Sequence, residues 1–227
     1  MISLIVPTIE RKWLANMLAN VRANTLLPDE VIIIDNGASA GRAVSDICEQ
    51  FPDLHIRYLP QPTNLMVNAS WNLGVAEAKY PIVSIFNDDI LFSDTTFQKI
   101  QLTFDNIPLA GMVVPTTVHS PESILHKDKS LPIVRSLERR QGWCMSLRRD
   151  IIRDRPIPTD KLQVFFGDDY YERVIREAGY WLLRIDNAHC FHYVGVSGNL
   201  ATRAALGLPP IDKEREAWSQ IMSQGKS

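Results

Sequence analysis

Ile82-Val83-Ser84-Ile85-Phe86-Asn87-Asp88-Asp89 reads as a strand that runs into an acidic turn. Ile82–Phe86 is apolar except for Ser84, too short for a helix and too continuous for a strand with one wet face. Such a run marks a strand buried on both faces of a parallel sheet. Asn87-Asp88-Asp89 then places turn-forming residues and two carboxylates at the strand's carboxyl end. In an open parallel sheet, that end is where ligands bind.

The same signature recurs upstream. Ile2–Val6 and Val31–Ile34 are short apolar runs, and the second stops at Asp35-Asn36-Gly37. Trp13, Met17, Leu18 and Val21 recur between them at helical spacing. Helices are expected over about 40–50, 69–78 and 97–104, and strands over 54–59 and 112–114. Alternating strands and helices predict an α/β fold, a largely parallel sheet with helices on both faces. After Pro115 the period fades. Thr116–Gln141 holds Pro121, Pro132 and many charges, and a mobile loop is expected there. Regularity returns at Gly142–Leu147 and in a helix over about Asp169–Ala178, closed by Gly179. Trp181–Ile185 and Cys190–Val194 read as the last two strands. Asn199–Ser227 is polar, with a short helical pattern from Asp212, and is expected to form a mobile arm.

Composition narrows the function. Of 227 residues, 45% are hydrophobic and 22% charged, which excludes global disorder. Lys plus Arg is 24 against Asp plus Glu 26, a net charge of −2, so a nucleic-acid partner is disfavoured. Residues 126–155 depart from this balance, with nine basic and four acidic residues, net +5. No apolar run is long enough to span a bilayer, and the opening residues carry no basic leader. Cys48, Cys144 and Cys190 form no CxxC pair and suit a reducing interior. The expected location is cytoplasmic, in solution or peripheral to a membrane.

Three acidic features fall at expected strand ends: Asp35, Asn87-Asp88-Asp89, and Asp168-Asp169 behind Val164-Phe165-Phe166-Gly167. His192 lies in a late strand. A carboxylate at such a place often only caps the next helix. Together the three fit metal-assisted work on a diphosphate. A hard divalent cation takes one or two carboxylates plus substrate phosphates, and a neutral imidazole adds a ligand for Mn²⁺. A second, more distant carboxylate suits a general base for an incoming hydroxyl.

Taken in order, these segments resemble the family 2 glycosyltransferases of GT-A fold, from Ile2 to about Ser197. Ser3–Thr8 resembles the family's first strand and its Pro-Thr turn. Val31–Ser39 resembles the second strand, and Asn64–Ala78 its Asn- and Gly-bearing helix. Ile82–Asp89 resembles the strand ending in a DXD-type metal motif. Gly142-Trp143-Cys144-Met145-Ser146-Leu147-Arg148-Arg149 is similar to the acceptor-side strand. Phe166–Asp169 is similar to the motif that supplies the base, and His192–Ser197 to the late His segment. The sequence departs from the pattern at Asn87, at Asp168, at Trp71 and at Ile9-Glu10.

The resemblance implies one domain over 1–197. Its nucleotide-sugar half is 1–115, its acceptor half 116–197, and a helical C-terminal arm covers 198–227. It implies a metal-dependent, inverting glycosyltransferase that uses a nucleotide-diphosphate-sugar, a UDP-sugar being favoured. Asp169 would be the base, with Asp168 beside it, and Asp89 and His192 would hold Mn²⁺ or Mg²⁺. Pro7, Thr8, Glu10, Asp35, Asn64, Asn68, Asn72, Asn87 and Asp88 would line the donor. Gly142, Trp143 and Arg148 would face the acceptor, a glycan, a lipid-linked glycan or another hydroxyl compound. Two other readings stay open. Asn87 speaks for a catalytically inactive nucleotide- or glycan-binding domain. A sugar nucleotidyltransferase would want a Gly-rich phosphate loop after the first strand, and Pro7-Thr8-Ile9-Glu10 stands there instead.

Overall fold

The structure is a computed structural model that describes residues 1–9, 11–38, 43–137, 142–193 and 210–224. In chain order the elements are β1 (Ile2–Thr8), α1 (Arg11–Arg22), β2 (Glu30–Asp35), α2 (Ser45–Cys48), β3 (Ile56–Pro60) and α3 (Val67–Glu77). Then come β4 (Ile82–Phe86), β5 (Ile90–Phe92), α4 (Thr96–Asn106), β6 (Ala110–Thr117), β7 (Val134–Ser136) and β8 (Cys144–Arg148). The last are α5 (Arg149–Ile152), α6 (Gly167–Glu177), β9 (Trp181–His192) and α7 (Ile211–Gln224).

The strands form one sheet in the order β3-β2-β1-β4-β8-β6-β9-β5, with β7 also paired to β9. β1 to β4, β6 and β9 run one way, and β5, β7 and β8 run against them. The sheet is therefore mixed and mainly parallel. Its apolar runs are continuous because both faces are covered. Leu4 and Val6 of β1 and Val31 and Ile33 of β2 enter one core with Leu14, Met17 and Phe97 of α1 and α4. Ile5, Ile32 and Ile34 enter the other, with Trp71 and Val75 of α3 and Tyr171 and Val174 of α6. Among the described residues, no helix is long and apolar enough to cross a membrane.

Three expectations change. The two late strands are a single twelve-residue strand, β9. Its register against β6 slips between Pro115–Ile185 and Thr116–His189, so Asp186-Asn187-Ala188 is a bulge inside a continuing strand. The expected helix over 40–50 is only the four residues of α2 among those described. The segment expected to be a mobile loop is tied to the sheet. Lys99 Nζ donates to Asp128 Oδ2 at 2.8 Å and to the Asn187 carbonyl at 2.7 Å. Asn187 Nδ2 in turn donates to Asp128, Ser130 and the Leu131 carbonyl, and its Oδ1 accepts from the Ile133 amide.

The polar tail also differs from expectation over its described part. α7 lays Ala217, Trp218 and Ile221 on the second core. These positions, three and four apart, make one apolar stripe.

Candidate active site

The carboxyl ends of β1 and β4 lie side by side, because the two strands pair in parallel. Thr8 closes β1, and its hydroxyl donates to Asp88 Oδ2 at 2.5 Å. Pro7 precedes it inside the strand, opposite Ile34. β8 runs antiparallel to β4 and pairs Cys144 with Phe86, so the Gly142-Trp143 turn arrives at the same edge. There the Asn87 amide donates to the Trp143 carbonyl at 2.9 Å.

His192, at the end of β9, stacks its imidazole on the Trp143 indole with centroids 5.1 Å apart and planes 12° from parallel. His192 Nε2 lies 3.0 Å from Asp89 Oδ1 and 3.5 Å from Asn87 Nδ2. Asp89 is only 7% exposed, and its carbonyl accepts from the Tyr193 amide at 3.0 Å. A buried carboxylate, an imidazole and a carboxamide thus converge. Among the described residues, no group of three or more His, Cys, Asp or Glu side chains could hold a metal ion. The donor set still fits a hard or borderline divalent cation that completes its shell with phosphate oxygens.

The same turn leads to the α6 carboxylates. Gly142 sits against Asp168: a Cβ there would lie 3.0 Å from both Cγ and Oδ2 of that carboxylate, which would have to give way. Asp168 and Asp169 occupy the first turn of α6. Asp168, Gly142, Trp143, His192 and Asp89 therefore form a contiguous line along the carboxyl edge of the sheet.

Several expected ligands are turned elsewhere. Asp35 is fully buried, and its carboxylate accepts from the Gly37 amide (2.9 Å), the Val44 amide (3.1 Å) and the Tyr58 hydroxyl (2.7 Å). It ties Gly37, Val44 and Tyr58 together behind the end of β2. Burial, and then the bond to Asp35, push the Tyr58 phenol up to about 12.

The three asparagines of the Asn64–Ala78 stretch bond to the chain's own backbone. Asn64 Oδ1 accepts from the Met66 amide at 2.9 Å, where Met66 holds a left-handed φ of 67° at the helix start. Asn68 is buried, and its amide donates to the carbonyls of Leu162 (3.1 Å) and Phe165 (3.0 Å). Asn72 exchanges two 2.9 Å bonds with the backbone of Ile157. Asn68 and Asn72, four residues apart in α3, share one helix face. That face is the seam between α3 and the segment leading into α6.

Arg148 is the clearest departure. It pairs with Ile82 at the amino end of β4, the far edge of the sheet from Trp143. There it donates to the carbonyls of Ala110 and Pro108 and covers Phe104 and Tyr180. An antiparallel β8 cannot bring both of its ends to one edge. Glu10 lies outside the described residues.

One residue went unread in the sequence. Glu214 of α7, 2% exposed, accepts from the amides of Gln163, Val164 and Phe165. The available signal was the Ala217/Trp218/Ile221 stripe on its helix, which sets Glu214 on the buried side.

The sequence model of the family described as "Glycosyl transferase family 2" matches residues 3–164. No curated protein matches the chain significantly. Among solved structures, S. aureus TarS 1-349 in complex with UDP is similar at TM-score 0.65 and 14% identity, over 84% of this chain and 60% of that one. The mannosyltransferase PcManGT from Pyrobaculum calidifontis, in complex with GDP-Man and Mn²⁺, is similar at TM-score 0.65 and 21% identity, over 89% and 59%. GalNAc-T7 with UDP, GalNAc and Mn²⁺ is similar at TM-score 0.67 and 11% identity, over 85% and 43%. The chain thus spans about 60% of the length of the first two structures. At these identities the likeness shows the fold.

Proposed function

Because the chain belongs to glycosyl transferase family 2, we propose that it transfers a sugar from a nucleotide-diphosphate-sugar to an acceptor hydroxyl, with inversion. The observation that carries this is the line from Asp168 through Gly142, Trp143 and His192 to Asp89. It joins a candidate base on α6 to a candidate cation site at the end of β4, as a displacement at an anomeric carbon between them requires.

Asp89 and His192, with Asn87 at the margin, would hold a divalent cation. When bound, that cation supplies positive charge to the departing diphosphate. Structures with the same fold were solved with Mn²⁺, which supports Mn²⁺ over Mg²⁺. Thr8 and Asp88 would face the nucleotide side. Two of the structural neighbours were solved with UDP, which supports a UDP-sugar.

Asp169 takes the proton of the acceptor hydroxyl. The hydroxyl oxygen forms the new bond to the anomeric carbon from the face opposite the diphosphate. The old carbon–oxygen bond breaks with its electron pair left on the phosphate oxygen. Asp168, packed on Gly142, fixes the base against the Trp143 turn, and Trp143 offers an aromatic face to the sugar or acceptor.

The test is a calorimetric titration with UDP, with and without Mn²⁺, on wild type, Asp89→Ala and Asp169→Asn. Mn²⁺-dependent binding is expected in the wild type and in Asp169→Asn, and its loss in Asp89→Ala. Turnover of the donor should fall about 10²–10⁴-fold in Asp169→Asn. Donor binding that collapses in Asp169→Asn, or survives intact in Asp89→Ala, would remove these assignments. Binding without any turnover in the wild type would favour the inactive binding domain.

A further inference from the structure

The chain segment that delivers the α6 carboxylates is gripped from two sides. On one side is α3. Asn68 receives the carbonyls of Leu162 and Phe165 on its side-chain amide, and its own backbone N–H donates to the Gln163 carbonyl at 3.0 Å. On the other side is α7. The N–H groups of Gln163, Val164 and Phe165 point together at Glu214 Oε2, at 3.1, 3.1 and 2.9 Å.

Three successive amides aimed at one point form a nest, a concave site of partial positive charge that an anion completes. Here the chain fills its own nest. Beyond it Phe166 stands in the left-handed region, at φ 60° and ψ 11°. A non-glycine residue keeps such a conformation only where its surroundings hold it there. Phe166 is held by Trp218 of α7, stacked at 6.1 Å with planes 11° apart. Gly167, Asp168 and Asp169 follow at once.

Glu214 is not alone in docking α7. Ala217, Trp218 and Ile221 already bury an apolar stripe, and Arg173 of α6 donates to the Ile221 carbonyl at 2.7 Å. A buried carboxyl group is costly unless its hydrogen bonds repay it. Among the described residues its partners are these three amides, so its effect falls on the backbone that leads into the base.

We propose that Glu214 is a positioning residue for the transfer reaction: by filling the 163–165 nest it fixes the entry to α6 and so the placement of Asp169. The proposal rests on the reading of Asp169 as general base. Misplacing a catalytic group by about an ångström can cost on the order of 10²-fold in rate.

The experiment uses the full chain as wild type, Glu214→Ala, Glu214→Gln, Asp169→Asn and the double variant Glu214→Ala/Asp169→Asn. Turnover is read as Mn²⁺-dependent cleavage of whichever donor the wild type uses fastest among UDP-glucose, UDP-galactose, UDP-GlcNAc and GDP-mannose. UDP affinity is read by calorimetry, and amide exchange over 163–169 by mass spectrometry. Glu214→Ala should lower turnover about 10- to 100-fold with UDP affinity within about twofold. Glu214→Gln, which keeps the volume and one acceptor oxygen, should recover part of the loss. The double variant should be no slower than Asp169→Asn, because a misplaced base costs nothing once the base is gone.

Wild-type turnover in Glu214→Ala, or losses that multiply in the double variant, would overturn the proposal. So would unchanged exchange over 163–169, a readout independent of any donor. If Glu214→Ala does not fold, Glu214→Gln runs the same cycle. Failure of the base reading shows separately, as wild-type turnover in Asp169→Asn.

Discussion

Asn72 shows how far a residue's chemical type falls short of its role. Its carboxamide suits a nucleotide contact, but here both of its ends are taken by Ile157, whose amide and carbonyl lie 2.9 Å away. Tyr171 adds a third bond, its hydroxyl donating to Asn72 Oδ1 at 3.3 Å. Truncating Asn72 would strand the backbone groups of Ile157 in a buried seam, and an unpaired buried donor or acceptor costs about 1–3 kcal/mol. Asn72→Ala is therefore expected to lose about 2 kcal/mol, which for a chain of this size lowers Tm by about 4–8 °C. Its UDP affinity should stay at the wild-type value. A stable Asn72→Ala variant with weakened UDP binding would restore Asn72 to the donor site. Asp35 teaches the same lesson, because Tyr58, Gly37 and Val44 bond to it from inside the fold. The sequence carried the presence of Asn64, Asn68, Asn72 and Asp35 in or beside the elements that hold them. Which way each side chain turns depends on partners such as Ile157 that lie 85 residues along the chain, and periodicity holds no record of them.

At the scale of elements, the segment after β6 is held by polar bonds where regular structure is scarce. Lys99 of α4 is 1% exposed, and its ammonium is answered by Asp128 and by the Asn187 carbonyl at the β9 bulge. That bond to Lys99, with those from Ser130, holds the Asp128 carboxyl well below the usual carboxylate range. A buried cation that loses its counter-charge typically costs about 3–5 kcal/mol. Asp128→Ala is expected near the lower figure, because the Asn187 carbonyl remains. Lys99→Met should cost less, since it removes the buried charge together with its need for a partner. Thermal melts of the two variants check the order, and limited proteolysis at Lys127 and Lys129 shows whether the segment comes loose first. Lys99→Met proving the more damaging of the two would mean that the ion pair stabilises in its own right. Neither β5 nor β7, of three residues each, could be read from the sequence. A strand that short has no room for a period, and it exists only because β9 offers an edge to pair with.

Across the whole molecule, what could be read in advance was what the solvent boundary dictates. β1, β2 and β4 are apolar on successive residues because α1 and α4 cover one face and α3 and α6 the other, and this burial writes itself into the sequence. The insertion of β8 between β4 and β6, against the chain direction, leaves no such trace, yet it decides that Trp143 joins the site and Arg148 does not. Titration of the same buried framework sets the pH range of the fold. Burial alone would raise the Glu30 carboxyl, but the Ser3 hydroxyl, the Lys79 amide and Arg57 more than reverse it, so its pKa is lowered, as is that of Asp128. A carboxyl lowered in the folded state contributes stability in full above its unfolded pKa, near 4, and loses it as pH falls further. On the alkaline side, burial and then the Asp35 charge raise the Cys48 thiol to about 11, and Tyr58 stands at about 12. Groups raised in this way stabilise fully below their unfolded values, about 8.5 for Cys and about 10 for Tyr, and lose that contribution as pH climbs through the folded ones. Stability is therefore expected to form a plateau from about pH 5 to about pH 8 and to fall on both sides. Urea midpoints measured from pH 3 to pH 11 check this, with Tyr58→Phe expected to flatten the decline above pH 10 and to leave the acid limb unchanged. An alkaline limb identical in Tyr58→Phe and wild type would show that the Tyr58–Asp35 bond does not hold the loop after β2.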